Sequence, residues 1–279
     1  MKAAAILRLT LALTATLAPL YAHAQASDIP SAAPAQPTNQ TQEQRGRVLL
    51  EHMVAALGGD AWLHRKDMTV RGRTAAFFRG EPNGSVIEYS GHRQFAQDGK
   101  PEAERIGFIT DKSILFPGKK IDIVQVWVNG NGYEVTYKGR VALPKDQVED
   151  YFRRHNHSIE SVIDTWLKQP GVMVIAEGTS MVERRLADKV TVLSANNDAV
   201  TIELDATTHL PLRRTFQWRN ETFKDHDEDV EQYDDYHTFQ GTGNRLPEQA
   251  GATERQRKND VRKILWTTMH DLTPLLGIC

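Results

Sequence analysis

The sequence predicts an α+β fold dominated by antiparallel strands, a curved half-open β-barrel covered by a helical lid. Three observations carry this expectation. From residue 68 onward most of the chain alternates apolar and polar residues with period two. The turns between early runs, "EPNG" at 81–84, "QDGK" at 97–100 and "NGNG" at 129–132, are too short for a crossover helix, so the strands run antiparallel. Only two stretches switch to helical period, one before the first strand and one at 145–168. A sheet of about ten long strands does not stay flat, because its twist makes it coil. The helical segments then bury their apolar stripes against the concave face. Such an incomplete barrel either fills its inside with side chains or leaves a cavity for an apolar ligand.

Residues 1–26 read as a signal peptide. Lys2 and Arg8 form a basic start, Leu9 to Tyr21 a short apolar run, and Ala22-His23-Ala24 and Ala24-Gln25-Ala26 both fit a small-x-small cleavage site. The run is shorter than the roughly 20 residues of a membrane span. The mature chain is therefore expected in the periplasm with no transmembrane anchor. Residues 27–40, "SDIPSAAPAQPTNQ", lack large apolar groups and read as a flexible linker. Residues 41–279 are expected to form a single domain. Cys279 is the only cysteine, so no internal disulfide can form and stability must come from a core. Loss of Lys2 and Arg8 takes the net charge from −2 to −4, which is not the basic footprint of a nucleic-acid binder.

The elements follow in order. Thr41-x-x-Gln44 is a capping box, Leu50, Met53, Val54 and Leu57 repeat at helical spacing, and Gly58-Gly59 supply the stop. Strands are expected at 68–78, 86–95, 103–110, 121–128 and 133–138. In the helical interruption, Val148, Tyr151, Phe152 and His155 form one stripe. Ser158 can cap a second helix carrying Ile159, Val162, Ile163, Trp166 and Leu167. Pro170-Gly171 ends it. Strands resume at 172–177, 189–194, 199–204, 212–219, 229–239 and 252–268.

Motifs for catalysis are missing: the chain has no G-x-S-x-G elbow, no S-x-x-K and no H-E-x-x-H. Asp225, Asp227 and Asp229 alternate as in a calcium loop, but Val230 and Tyr236 stand where that loop needs glycine and glutamate. The run "KDHDEDVEQYDDYH" at 224–237 reads instead as an exposed strand edge whose charges block pairing. His155 and His157 fall at a helix break without metal-ligand spacing, and His155 is expected to close its helix's apolar stripe. No metal or cofactor is expected.

The aromatic residues carry more information. Phe78, Tyr89, Phe95, Trp127, Tyr151, Phe152, Trp166, Phe216 and Trp218, with Ile159, sit at inward or lid-facing positions and are the candidate lining of a cavity. Arg93 and Arg214 stand in otherwise apolar strand rows. Each is a candidate to meet a ligand headgroup or the lid, or to pair with an acidic neighbour.

Four segments resemble exported proteins of the outer-membrane lipoprotein-sorting type, relatives of the periplasmic lipoprotein carriers (the Lol carriers) and their outer-membrane receptor. They are "LLEHMVAALGGDAWL", "SVIDTWLKQPGVMVIAEGT", "VTIELDATTHLPLRR" and "VEQYDDYHTFQG". Asp205, Thr208, Leu210 and Pro211 occupy the family's turn and strand start. The resemblance spans roughly residues 45–245. It implies an open barrel with a helical lid over a hydrophobic cavity that receives acyl chains, without catalysis. Beyond Leu246-Pro247 the polar run "EQAGATERQRKND" replaces the expected closing strands before "VRKILWTTM" resumes. The chain is thus expected to act as a monomeric, non-enzymatic periplasmic carrier of a lipid-like ligand such as lipoprotein acyl chains. The alternative is an interaction or scaffold domain whose half-barrel is filled by its own helices.

Overall fold

The computed structural model describes residues 40–78, 81–84, 86–97, 99–110, 120–238, 245–256 and 261–272. The expected signal peptide, nearly all of the expected linker, Asp98 of one turn and Cys279 lie outside them. Helix α1 (Gln42–Leu57) starts at the expected capping box: Thr41 Oγ1 accepts the Gln44 N–H, and the Gln44 side chain accepts the Thr41 N–H. It ends at Gly58-Gly59, whose N–H groups return to Ala55 and Val54. A four-residue helix, α2 (Asp60–Leu63), then buries Trp62.

Seven strands follow: β1 (Asp67–Phe78), β2 (Glu81–Pro82), β3 (Ile87–Gln94), β4 (Ala103–Thr110), β5 (Lys120–Val128), β6 (Asn131–Thr136) and β7 (Gly139–Ala142). The helices α3 (Lys145–Asn156) and α4 (Ile159–Asp164) come next, with a 3-10 turn at Trp166–Lys168. The chain returns through β8 (Met173–Val182), β9 (Arg185–Leu193), β10 (Ala199–Asp205), β11 (Pro211–Asn220), β12 (Asp225–Thr238), β13 (Arg245–Gln256) and β14 (Val261–Leu272).

Among the described residues, all strands share one antiparallel sheet in the order β7-β6-β5-β4-β3-β1-β14-β13-β12-β11-β10-β9-β8, with β2 paired to β1 alone. The pairing of β1 with β14 joins the two runs of hairpins in the middle of the sheet. This topology fixes the position of α3 and α4. They connect the two outermost strands, β7 and β8, so they lie along the chain's route from one edge of the sheet to the other. The result is a curved half-open barrel with helices.

Three features depart from the sequence-based expectations. Strand β7 is not among the expected strands; its four residues begin at Gly139, which takes φ 113. The polar run after Pro247 is not a gap, because residues 245–256 form β13, paired to β12 on one side and β14 on the other. The single strand expected at 252–268 is thus two strands. The acidic run at 224–237 is not an exposed edge either. β12 is an interior strand, and Asp227 and Asp229 are buried.

The core occupies one half of the concave side. Leu50, Met53 and Leu57 of α1 and Ile159, Val162, Ile163 and Trp166 pack on Val174, Val190, Val192, Val200, Ile202, Leu204 and Phe216. Strands β8 to β11 therefore supply their alternate apolar residues to this contact, as period two requires. Gly46 allows α1 its close approach, since a Cβ there would stand 2.9 Å from Val174 Cγ1.

Candidate functional site

The other half is not filled. A cavity of about 660 Å³ lies between α3, α4 and the sheet. Its floor is one face of neighbouring strands: Met68 and Thr74 of β1, Tyr89 and Arg93 of β3, Glu104, Ile106 and Phe108 of β4, Gln125 and Trp127 of β5. Gln147, Asp150, Tyr151, Arg154 and His155 of α3 and Ile159 and Glu160 of α4 line it from the helical side. Pro211, Arg214, Glu231, Tyr233 and Tyr236 contribute from β11 and β12.

Charge is concentrated along one cross-strand row. The register places Trp127 opposite Glu104, Glu104 opposite Arg93, and Arg93 opposite Met68. Two and four residues along β4, the same face presents Ile106 and Phe108, so the floor turns apolar within two pairs. At the charged row α3 is fastened to the sheet. The Tyr151 hydroxyl donates to Glu104 Oε2. His155 Nε2 lies 3.1 Å from Glu102 Oε2, and Arg93 Nη2 lies 3.4 Å from His155 Nδ1. A ring carrying its proton on Nε2 satisfies both contacts. Arg93 Nε also donates to Glu102 Oε1 at 2.5 Å.

These contacts set the protonation states. Burial works to raise the Glu102 carboxyl, but the His155 hydrogen bond and the Arg93 charge more than cancel it and hold it at about 2. The Tyr89 hydroxyl is pushed up to about 12, by burial first and by Glu104 second. The Tyr151 hydroxyl is raised further for the same reasons, and its hydrogen bond to Glu104 adds to them.

A second ionic group closes the far wall. Arg214, 2 % exposed, donates through Nη2 to Glu231 Oε2 at 2.7 Å. Its Nη1 lies 2.8 Å from Asp229 Oδ1, off the direction of a hydrogen bond. Tyr233 donates to the same Glu231 oxygen at 2.9 Å, and Tyr236 donates to the Pro211 carbonyl at 2.9 Å. Burial disfavours the Arg214 charge, yet Glu231, Tyr233 and Asp229 more than compensate and raise its pKa. Asp229 is shifted upward: burial and Glu231 oppose its charge, and Arg214 only partly offsets them. The adjacent Arg213 points to the other face, where its partner is the buried Glu203 directly across the strand pair.

Of the twelve residues singled out from the sequence, Tyr89, Arg93, Trp127, Tyr151, Ile159 and Arg214 line the cavity. The other six lie elsewhere. Phe78 is 40 % exposed near the end of β1. Phe95 is buried between the guanidiniums of Arg65 and Arg93, at 4.3 and 4.8 Å from its ring centre. Phe152 packs edge-on against Trp127 and Tyr151. Trp166 and Phe216 belong to the core, and Trp218 lies beside it under Arg153. His155 continues the row of Tyr151 and Phe152 by ring contacts with both and in addition forms a polar contact with Glu102, while His157 stacks on Phe216. The acidic lining residues Glu104, Asp150, Glu160 and Glu231 are not among the residues singled out from the sequence. Glu231 was readable, since it continues the alternating row Asp227, Asp229, Glu231, Tyr233 on the strand facing Arg214.

No protein-family model matches the chain, and no curated protein matches it in sequence. Solved structures do. A DUF1329 family protein from Desulfovibrio piger superposes with TM-score 0.54 at 12 % identity, covering 86 % of this chain and 96 % of that one. A domain described as an outer membrane lipoprotein-sorting protein from Vibrio parahaemolyticus gives 0.53 at 10 % identity, covering 85 % and 95 %. A LolA superfamily protein from Nitrosomonas europaea gives 0.47 at 8 % identity, covering 84 % and 94 %. At these identities the likeness to the Desulfovibrio and Vibrio structures is one of fold, and it spans nearly the whole of each of those two chains.

Proposed function

We propose that this chain is a non-enzymatic periplasmic carrier or binder of a lipid-like ligand, held between the curved sheet and helices α3 and α4. The observation that carries the reading is the 660 Å³ cavity lined by Tyr89, Phe108, Trp127, Tyr151, Tyr233 and Tyr236. Small-molecule sites are typically about 300–1,000 Å³, mostly apolar, with a few placed polar groups. Burial of an alkyl chain there would contribute about 0.8 kcal/mol per methylene. The acyl chains of lipoproteins are one such ligand, in keeping with the fold of the Vibrio domain. Periplasmic residence rests on the signal-like residues 1–26. Among the described residues, no helix is long and apolar enough to cross a membrane.

The rival reading, a half-barrel filled by its own helices, is favoured by one observation: α1 and α4 do fill the half over β8 to β11. One experiment separates the two. Protein purified without detergent is extracted with organic solvent and the extract examined by mass spectrometry. Acyl species recovered in stoichiometric amount support the carrier. Their reproducible absence, together with failure to take up added alkyl probes, leaves the scaffold.

A further inference from the structure

Among the described residues, the cavity wall holds three guanidiniums, Arg93, Arg154 and Arg214, against four carboxylates, Glu104, Asp150, Glu160 and Glu231. Every one of those guanidiniums has a carboxylate neighbour: Glu102 for Arg93, Asp150 for Arg154, and Asp229 and Glu231 for Arg214. Three of the carboxylates are likewise engaged. Glu104 accepts from Tyr151, Asp150 from Arg153, and Glu231 from Arg214 and Tyr233. Glu160, the second residue of α4, differs. Among the described residues it has no side-chain hydrogen bond to another residue and no ion pair within 4.0 Å. Its electrostatic neighbours are Arg93, Arg65 and His155, and its charge is felt by the hydroxyls of Tyr233 and Tyr236. Glu160 is half-buried. Burial works to raise its carboxyl, but Arg93 and then Arg65 hold it below the usual range, so it is ionised at neutral pH.

We propose that the cavity binds its amphiphilic ligand through an ammonium group, with Glu160 as the counter-charge and the surrounding tyrosine rings as its walls. The inference rests on the reading that the cavity receives an alkyl chain. An ammonium offers three donors to a carboxylate that accepts from its own backbone N–H and from no other described residue, and it is attracted by aromatic faces. Among the described lining guanidiniums the buried donors without a hydrogen bond are Arg214 Nε and Nη1, and they stand beside Asp229 and Glu231, whose charges oppose an anionic head. Among the described lining residues each guanidinium already has a carboxylate within 4.0 Å, so a carboxylate or phosphate would compete with Glu102, Asp150, Asp229 or Glu231 in a partly desolvated space. The chain behind the head would run along Ile106 and Phe108. Charge thus selects against free fatty acids and in favour of long-chain amines or lipids with an ammonium head.

The test uses three probes with one chain length, dodecylammonium, dodecanol and dodecanoate, below their micelle concentrations and at neutral pH. Binding is followed by the fluorescence of Trp62 and Trp127, which line the cavity. The wild-type protein is expected to prefer dodecylammonium to dodecanol by about tenfold, the worth of one charge-assisted hydrogen bond, and to bind dodecanoate most weakly. In Glu160→Gln the ammonium-to-alcohol ratio is expected to fall close to one. Equal binding of all three, tightest binding of dodecanoate, or a ratio that survives in Glu160→Gln overturns the proposal and leaves the carrier reading standing. If the wild type binds none of the three, both fail. Should Glu160→Gln not melt cooperatively, Glu160→Asp replaces it. Its shorter carboxylate is expected to lower the ratio by a smaller factor, and an unchanged ratio overturns the assignment. Comparison of lysophosphatidylethanolamine with dodecylammonium then tells a lipid headgroup from a free amine.

Discussion

Trp127 of β5 and Tyr151 of α3 stack with their ring centres 3.9 Å apart and 4° between their planes. Phe152 meets both rings edge-on, and His155 stacks on the far side of Tyr151. No residue of α3 is fully buried. The helix is therefore attached to the sheet by a few ring contacts and by polar contacts to Glu102 and Glu104, not by an apolar stripe sunk into the core. Elements attached in this way open locally at lower free energy than core elements.

Amide exchange should report this directly. Residues 145–156 are expected to exchange faster than α1, whose Leu50, Met53 and Leu57 are in the core. Tyr151→Phe keeps the stack and loses only the bond to Glu104. Tyr151→Ala loses the ring as well, worth about a further 0.5–1.5 kcal/mol beyond its burial. Exchange in α3 should accelerate in that order. Equal exchange in all three proteins would show that the stack does not hold the helix.

Arg214 is expected to be costly to remove, being buried and paired with two carboxylates. Arg214→Leu strands Asp229 and Glu231 in a buried place, and breaking such a pair typically costs about 3–5 kcal/mol. The upward shift of Asp229 lowers this figure, because the carboxyl can take a proton instead. Arg214→Lys should be intermediate, as one ammonium cannot reproduce the two-pronged contact. Denaturant midpoints of the three proteins check the order. A loss below about 0.5 kcal/mol for Arg214→Leu would mean that the pair is dispensable.

That arginine also marks how far the sequence could be read. Period two placed Arg214 in the row of Leu212 and Phe216, and the structure keeps it there. The short turn at 221–224 then sets Arg214 opposite Glu231. This partner escaped notice because the acidic run looked like an edge, and it looked so because β13 was not recognised. The β13 segment holds only Leu246, Pro247 and two alanines among polar residues and a glycine, so hydropathy alternation gives it little signal. Its place comes from hydrogen bonding on both sides, which is a tertiary fact. The division of the aromatics was equally out of reach. Trp166 and Trp127 occupy similar positions in their own patterns, but α1 covers only one half of the sheet, and that decides which ring meets the core and which the cavity.

Acid should loosen the α3 attachment in a defined window. Folding lowers the Glu102 pKa from 4.5 to about 2, so in that interval the unfolded chain binds more protons than the folded one. Stability from this group is therefore complete above pH 4.5 and is lost as pH falls toward 2. Glu102→Gln removes the titration. Melting temperatures measured from pH 6 to pH 2 should fall less steeply for Glu102→Gln than for the wild type below pH 4.5. Parallel curves would place the acid sensitivity elsewhere.

The stack with Tyr151 leaves Trp127 no freedom on its other side, where Gly132 of β6 lies directly across the strand pair. A Cβ at Gly132 would stand 2.5 Å from Trp127 Cζ3, 2.8 Å from Cε3 and 3.1 Å from Leu143 Cδ1. A rigid indole held between Tyr151 and the strand cannot yield by rotating one bond. Gly132→Ala should therefore cost about 1–3 kcal/mol, as overpacking does. The cost should shrink in a Trp127→Leu background, where the ring is gone. A double-mutant cycle on denaturant midpoints measures the coupling, expected at about 1 kcal/mol or more. Additive costs would mean that the glycine is needed for the backbone alone. A positive coupling shows that β6 carries a glycine there so that the indole can lie flat under the helix.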